Sequence, residues 1–498
     1  MTARSPKGLE RSAKGALSAP PGRPKEDSLP LGGTARSAKG AVITLRVESL
    51  DLEGSGVAHH EGKVVFVRGG LPGESVAATI VRRKPRFDVA EVVAVGRESS
   101  SRVRPRCPHF GVCGGCANQH VDARAQVAFK QRALEDTLWH VGRVKPETML
   151  PPIEGPTWGY RFRARLTSRH VAKKGGVLVG FHERGSSFVA DMTQCHTLPP
   201  FLSDLLVPLR SLVERLSIRE RMPQIEVAVG DREDHAGSGA AAYLTALVFR
   251  VLDPPSAEDL AELGAFATSH RLEVWLQPKG PETVFLLCDS AGNTESPVSA
   301  LGYTLPEFGL RIPFLPTEFT QVNFAVNQQL LSRAVRILDP QPQENVVDLF
   351  CGLGNFTLPL ATRARRVLGI EGSASLVGRA RQNAAHNQAA LLGQAGRPEG
   401  VEFRTENLFE FGPESWHALG HVDKLVIDPP RDGALAVAQA LAGAQDRPQR
   451  VVYVSCNPAT LARDLGVLVN TGGWKLKFAG VINMFPHTSH VESIAVIE

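Results

Sequence analysis

No uninterrupted run of eighteen apolar residues occurs in this 498-residue chain, so no membrane-spanning helix is expected. The N-terminus also lacks the apolar middle of a secretory signal. Cysteine is scarce: seven residues, an odd number, in a long chain. That count argues against a disulfide framework and for metal binding or catalysis in a reducing cytoplasm. Phosphate loops are missing as well. The strand–glycine–helix turn in "VVDLFCGLGNFTLPLA" (346–361) has no third glycine of a pyrophosphate loop and no Lys-Ser/Thr of a P-loop.

Apolar residues make up 43% of the chain, with 47 Gly and 35 Pro, enough for large cores joined by many turns. The length predicts two to four domains. Formal net charge is +5, unevenly spread. Residues 1–41 carry eight basic and three acidic side chains; residues 82–174 carry nineteen and eight. A basic block inside a balanced chain fits a polyanion partner, or simply a solvated basic face.

Residues 1–41 are rich in Ala, Gly, Ser, Pro and Lys, repeat "RSAKGA" twice, and read as a disordered basic tail. Short β-rich runs separated by turn signals over 42–98 predict a small OB-like barrel, with Arg82, Arg83, Lys84 and Arg86 on its last hairpin. Three cysteines follow in "CPHFGVCGGCANQH" (107–120), then a helix over 123–142. Residues 99–315 read as a β-rich central domain. Apolar residues 326, 330, 331, 334, 335 and 338 have the spacing of an amphipathic helix. From there to 498 apolar strands alternate with helical patterns, which predicts an open, mainly parallel α/β sheet whose last two strands form a hairpin at one edge.

Four strand ends of that sheet carry chemistry. Asp348 closes the first strand, and Gly352 and Gly354 let the backbone pass close to a ligand. Glu371 closes the second, a common place for an acid that binds ribose hydroxyls. A ribose without phosphates fits S-adenosylmethionine (SAM) better than NAD or ATP. "KLVIDPPRDG" (424–433) puts Asp428 at a third strand end, stiffened by Pro429 and Pro430. "VVYVSCNPAT" (451–460) ends a strand on Cys456, with Asn457 as N-cap and Pro458 as first helical residue. A sulfur beside a helix N-terminus is favoured as thiolate; a buried, inert cysteine is the other reading.

Together with "FTQVN" (319–323) and "HTSHVES" (487–493), these stretches resemble the RNA uracil-5 methyltransferases over nearly everything after residue 41. The resemblance implies a C-terminal Rossmann-like SAM-dependent methyltransferase domain (316–498), a leading TRAM RNA-binding barrel, and an iron–sulfur signature in the central domain. The last two together point to the branch that acts on 23S ribosomal RNA. It also implies that Cys456 is the nucleophile adding to C6 of uracil and Glu492 the base that removes the C5 proton. Gln321, Phe350, Asn355, Glu371, Asn407 and Asp428 match positions the family uses around SAM. Arg431 matches a position near the target nucleotide. Cys351, though in a family motif, reads as structural. Arg161, Arg163, Arg165 and Arg169 alternate on one face if "YRFRARLTSRH" is a strand, and are expected to grip RNA with the Arg82–Arg86 run.

Cys107, Cys113 and Cys116 form a C-x5-C-x2-C pattern, and Cys195 in "MTQCH" supplies a fourth thiolate. Four thiolates suit a [4Fe–4S] cluster or structural zinc; the resemblance implies the cluster. Family members often carry an aromatic residue where this chain has Ala123. A tRNA uracil-5 methyltransferase and a non-catalytic RNA-binding or ribosome-assembly protein are the alternative readings; no membrane and no obligate protein partner are expected.

Overall fold

The computed structural model describes residues 42–232, 242–295, 299–392 and 400–498, all within the unit Gly32–Glu498. The expected tail, 1–41, lies outside the described residues. Among those residues no helix is long and apolar enough to cross a membrane.

The short β-rich runs at the start form one six-stranded sheet, from Val42–Arg46 to Phe87–Arg97, with the first strand beside the fifth. The long strands Ser75–Arg83 and Phe87–Arg97 slip register at three places. Such bulges bend a strand and sharpen its twist, and the sheet curls around Leu45, Val65, Val67, Val76 and Ala90. A buried ion pair joins it to the next segment. Arg102 donates from Nε to Glu74 Oε1 at 2.5 Å and from Nη2 to Oε2 at 2.7 Å, and also reaches the Gly69 carbonyl.

A second six-stranded sheet runs from Arg163–Val171 to Phe285–Cys288. Its strand Tyr243–Arg250 is apolar on both faces and buried on both. Leu247 and Phe249 point into a core shared with the helices Leu206–Arg215 and Ala257–His270. Leu244, Ala246 and Val248 point into a different core, shared with the helix Phe324–Leu338. Asn323 caps that helix, and all six of its expected apolar positions are buried.

The C-terminal sheet has eight strands in the order Gly400–Thr405, Arg366–Glu371, Asn345–Leu349, Lys424–Ile427, Arg450–Ser455, Glu492–Ile497, Leu476–Ile482, Thr148–Met149. The first five are parallel. The closing hairpin is antiparallel as expected, and its last strand lies inside, between Arg450–Ser455 and Leu476–Ile482. Burial explains this, because every residue of Glu492–Ile497 is buried. The outer strand is covered by Thr148–Met149 rather than left as an open edge.

That short strand comes from within 99–315, as does the helix Ala123–Thr137. Asp122 caps the helix, which continues as a π turn, Leu138–Gly142. Gly142 rests against the helix Pro458–Asn470, where any Cβ would stand 2.3 Å from the Ala462 carbonyl oxygen. The segment after the cysteines is therefore packed onto the C-terminal sheet.

Candidate active site

In an open α/β sheet ligands bind outside the carboxyl ends of the strands, where strand order reverses. Here the reversal lies between Asn345–Leu349 and Lys424–Ile427, and the singled-out residues gather on both sides of it.

On one side, Phe350 leaves its strand at φ 65°, a conformation uncommon for a bulky residue. The Gly352 amide donates to Glu371 Oε2 at 3.1 Å and the Ser373 amide to Oε1 at 3.0 Å, so the acid is aimed by both loops it joins. Asp348 is fully buried; Thr357 Oγ1 donates to its Oδ2 at 2.6 Å. Burial pushes its carboxyl up to about 8, with Asp428 and Glu371 adding to the rise. Asn407 is exposed and accepts from the Phe409 amide. Phe409, half exposed, meets the Phe350 ring edge-on at 5.8 Å. Sequence reasoning passed over this second aromatic, although it stands two residues from Asn407.

Asn355 is placed differently. Its amide is exchanged with that of Asn327 at 3.1 Å each way, and Tyr303 donates to its Oδ1 at 2.8 Å. Those bonds make it a brace of the glycine turn. Gln321 rides half-buried on the segment 315–323, which two arginines pin. Arg163 reaches the carbonyls of Pro316 and Glu318, and Arg379 binds the Glu318 carboxylate at 3.0 Å.

On the other side, Cys456, Asp428, Arg431 and Glu492 converge. Cys456 is half-buried. Burial raises its thiol, Glu492 and Asp428 raise it further, and Arg431 opposes them. The expected helix-end activation is therefore outweighed. Asn457 does cap the helix through Ala459, but a helix terminus contributes only about 0.3–1 kcal/mol, less than burial with two carboxylates nearby. Asp428 is pushed up to about 7 by burial. Glu492, 7% exposed, is pushed up to about 8 by burial and Asp428, against Lys130 and Arg431. The Arg431 guanidinium donates to His490 at 2.8 Å, and its carbonyl accepts from Asn457 and Thr460 at 3.2 Å. Cys351 is buried beneath the glycine turn, as a structural reading requires.

A crevice of about 600 Å³ opens over Cys456. Its walls include Gly54 and Arg68 of the barrel, Ala117 and Arg184, and Arg431 and His490. The expected row of four gripping arginines is not free. Arg163 holds the segment 316–320, Arg165 pairs with Glu226 at 2.9 Å, and Arg161 lies over the Phe181 ring; Arg169 stays exposed. In the barrel Arg82 and Arg86 are exposed, while Arg83 faces Asp88 at 3.6 Å.

The four cysteines meet in one neighbourhood. Burial and one another's charge push the thiols of Cys113 and Cys116 up to about 11 and about 12, and Cys107 upward too; Cys195 acts on all three. The Cys107 amide donates to Gln119 Oε1 at 3.0 Å. Among the described residues no group of three or more His, Cys, Asp or Glu side chains is drawn together closely enough to hold a metal ion as it stands.

Comparison with known proteins gives this geometry a family. Residues 310–498 match the family described as tRNA (Uracil-5-)-methyltransferase, and residues 36–93 match the TRAM domain. A Bordetella bronchiseptica protein named 23S rRNA (uracil(1939)-C(5))-methyltransferase RlmD is 57% identical over 459 residues, 92% of this chain and 93% of its own. One of the same name from Cupriavidus pinatubonensis is 55% identical over 93% of this chain and 97% of its own. The Pyrococcus abyssi tRNA (uracil-54, C5)-methyltransferase, solved with S-adenosyl-L-homocysteine, shares the fold. It has a TM-score of 0.66 at 21% identity, covering 92% of this chain and 100% of that one. A barrel of TRAM type, a methyltransferase sheet and more than half of all residues in common over nine-tenths of the length leave one conclusion: the chain belongs to the RlmD family of RNA uracil-5 methyltransferases.

Proposed function

We propose that this chain transfers a methyl group from SAM to C5 of a uridine in 23S ribosomal RNA, the one equivalent to the uracil 1939 for which its relatives are named. The observation that carries the reading is the meeting of Cys456, Glu492 and Asp428 at neighbouring strand ends, with Cys456 opening onto the crevice.

C5 of uracil is a poor nucleophile. The Cys456 sulfur adds to C6, forming a C–S bond and turning the ring into an enolate that is nucleophilic at C5. SAM supplies the electrophilic methyl. Glu492 then takes the C5 proton, and β-elimination breaks the C–S bond and frees the sulfur. A desolvated carboxyl raised to about 8 is a stronger base than an exposed glutamate. Glu371 suits ribose hydroxyls, Phe350 with Phe409 a flat base, and Asp428 a cationic donor; Gln321, Asn355 and Asn407 complete the set by family match.

Cys107, Cys113, Cys116 and Cys195 would hold a [4Fe–4S] cluster. Burial and the neighbouring cysteines raise the thiols of Cys107, Cys113 and Cys116, so this set is stable as thiolates only around a cationic centre, which is what supports the fit. The division into 42–98, 99–315 and 316–498 gives one unit each to RNA, cluster and SAM. The target base must leave its stack to reach Cys456, and exposed Arg82, Arg86 and Arg169 supply phosphate contacts. A ribosomal RNA substrate and cysteines free of disulfides both suit the cytoplasm.

RNA carrying 5-fluorouridine at the target cannot lose its C5 substituent as a proton. With SAM it should trap the wild type covalently, and Glu492→Gln equally, but not Cys456→Ser. On ordinary RNA, Glu492→Gln should turn over about 10²–10⁴-fold more slowly. Absence of a wild-type adduct would leave only an RNA-binding protein. Loss of 5-methyluridine from tRNA with rRNA unaltered in a deletion strain would move the substrate to tRNA.

A further inference from the structure

Glu492 follows a loop, 483–491, that crosses from the outer strand to the buried one. Most of what fixes the first half of that loop comes from outside the C-terminal sheet. Lys130 Nζ donates to Asn483 Oδ1 and to the Phe485 carbonyl, both at 2.9 Å. Gln126 Oε1 accepts from the His487 amide at 2.7 Å. The Ala117 and Asn118 amides donate to the His487 carbonyl at 2.9 and 3.0 Å, one and two residues beyond Cys116. Tyr160 holds the Pro486 carbonyl at 2.8 Å, and Trp158 stacks on the His487 ring at 3.8 Å.

Of these groups Lys130 is the anomaly. It is 4% exposed, on a helix whose packing a methionine of similar length would serve without burying a charge. The two acceptors that Lys130 bonds are neutral; burial lowers its amine to about 7, and Glu492 is the carboxylate that opposes the fall.

We propose that Lys130 is a positioning residue for the catalytic base: bonded to Asn483 and to the Phe485 carbonyl, it fixes the loop that delivers Glu492 beside Cys456, and its charge opposes that of Asp428 at the base. The inference rests on Glu492 being the base. The groups that act on Glu492 are Asp428, Lys130 and Arg431, and Glu492 acts on Cys456; His490 stands near Arg431, Lys130 and Arg161. Burial lowers both His490 and His487, His487 to about 4. Arg431 is exposed and engaged with His490, which leaves Lys130 as the buried cation of the set. The same helix face ties Glu492 to the cysteine segment, so a cluster there would steady the base without touching the substrate.

The test compares Lys130→Met with wild type in two assays on full-length protein. One is the rate of covalent trapping by 5-fluorouridine RNA, which needs Cys456 but no base. The other is the rate of methylated product release from ordinary RNA between pH 6 and 9.5. Trapping should stay at the wild-type rate, which also shows that the variant is folded. Release at pH 7 should fall about tenfold or more, and its rise with pH should move upward by about one to three units, the reach of a neighbouring opposite charge. Release with an unchanged profile overturns the proposal. So does loss of trapping, which would put Lys130 in the fold or at Cys456 instead. If Glu492→Gln releases product normally, it is the assignment of the base that fails.

Discussion

A single buried acid shows how strongly this site depends on protonation. Asp348, Asp428 and Glu492 are raised to about 8, about 7 and about 8, each first by burial. Ordinary values are 3.8 for Asp and 4.5 for Glu. A carboxyl raised on folding contributes stability that is fully present below its unfolded value and is lost as pH rises through its folded value. The ligand-free protein should therefore lose Tm between about pH 4 and pH 8. Asp348→Asn keeps an acceptor for Thr357 and removes one ionisation. Its Tm should depend less on pH and exceed that of wild type above pH 8. Scanning calorimetry across a buffer series decides; parallel curves would refute the burial argument. Sequence reading named Asp348, Asp428 and Cys456 because each stands at a strand end, and Glu492 through the family resemblance alone. It gave Cys456 too much from the helix terminus, because no sequence pattern reveals two carboxylates arriving from other strands.

At the level of elements, the strand Arg163–Val171 separates pattern from environment. Alternation placed its arginines on one face, and the strand is there. What each guanidinium meets depends on a loop about 150 residues away: Arg163 bonds to Pro316 at a separation of 153 residues. Arg163→Ala should thus weaken SAM binding by about tenfold, the worth of one charged hydrogen bond, through the segment that carries Gln321. The salt dependence of RNA binding should not change. Arg169→Ala should do the reverse, lowering the slope of log K against log salt by about one. Titrations with each ligand at several salt concentrations would expose a swapped pattern, which would reassign the strand. The amphipathic helix and the parallel strands were legible from periodicity alone. The order within the closing hairpin was not, because strand order depends on which apolar run is buried more completely.

For the whole molecule, the central and C-terminal sheets share one apolar core, whereas the barrel is joined to the next segment by a buried ion pair. Arg102 and Glu74 are 7% and 0% exposed. Removing one partner of a buried pair costs about 3–5 kcal/mol, because the other charge is left without compensation. Arg102→Met should release the barrel early, giving a first denaturant transition in which barrel amides lose hydrogen-exchange protection before the catalytic sheet does. One transition at the wild-type midpoint would show that the barrel does not depend on this pair.

Left to itself, the sequence determined what is local or repeated: the strands and helices, the glycine turn, the cysteine spacing and the residues that end strands. Those properties follow from periodicity, backbone preference and short-range chemistry, which a linear chain displays directly. Only the tertiary structure decided which charges face one another. It set Lys130 against Glu492, Asp428 beside Cys456, and Arg163 on a distant loop instead of on RNA. Burial and charge act through space, so residues hundreds of positions apart fix the protonation of a site that the chain order leaves open.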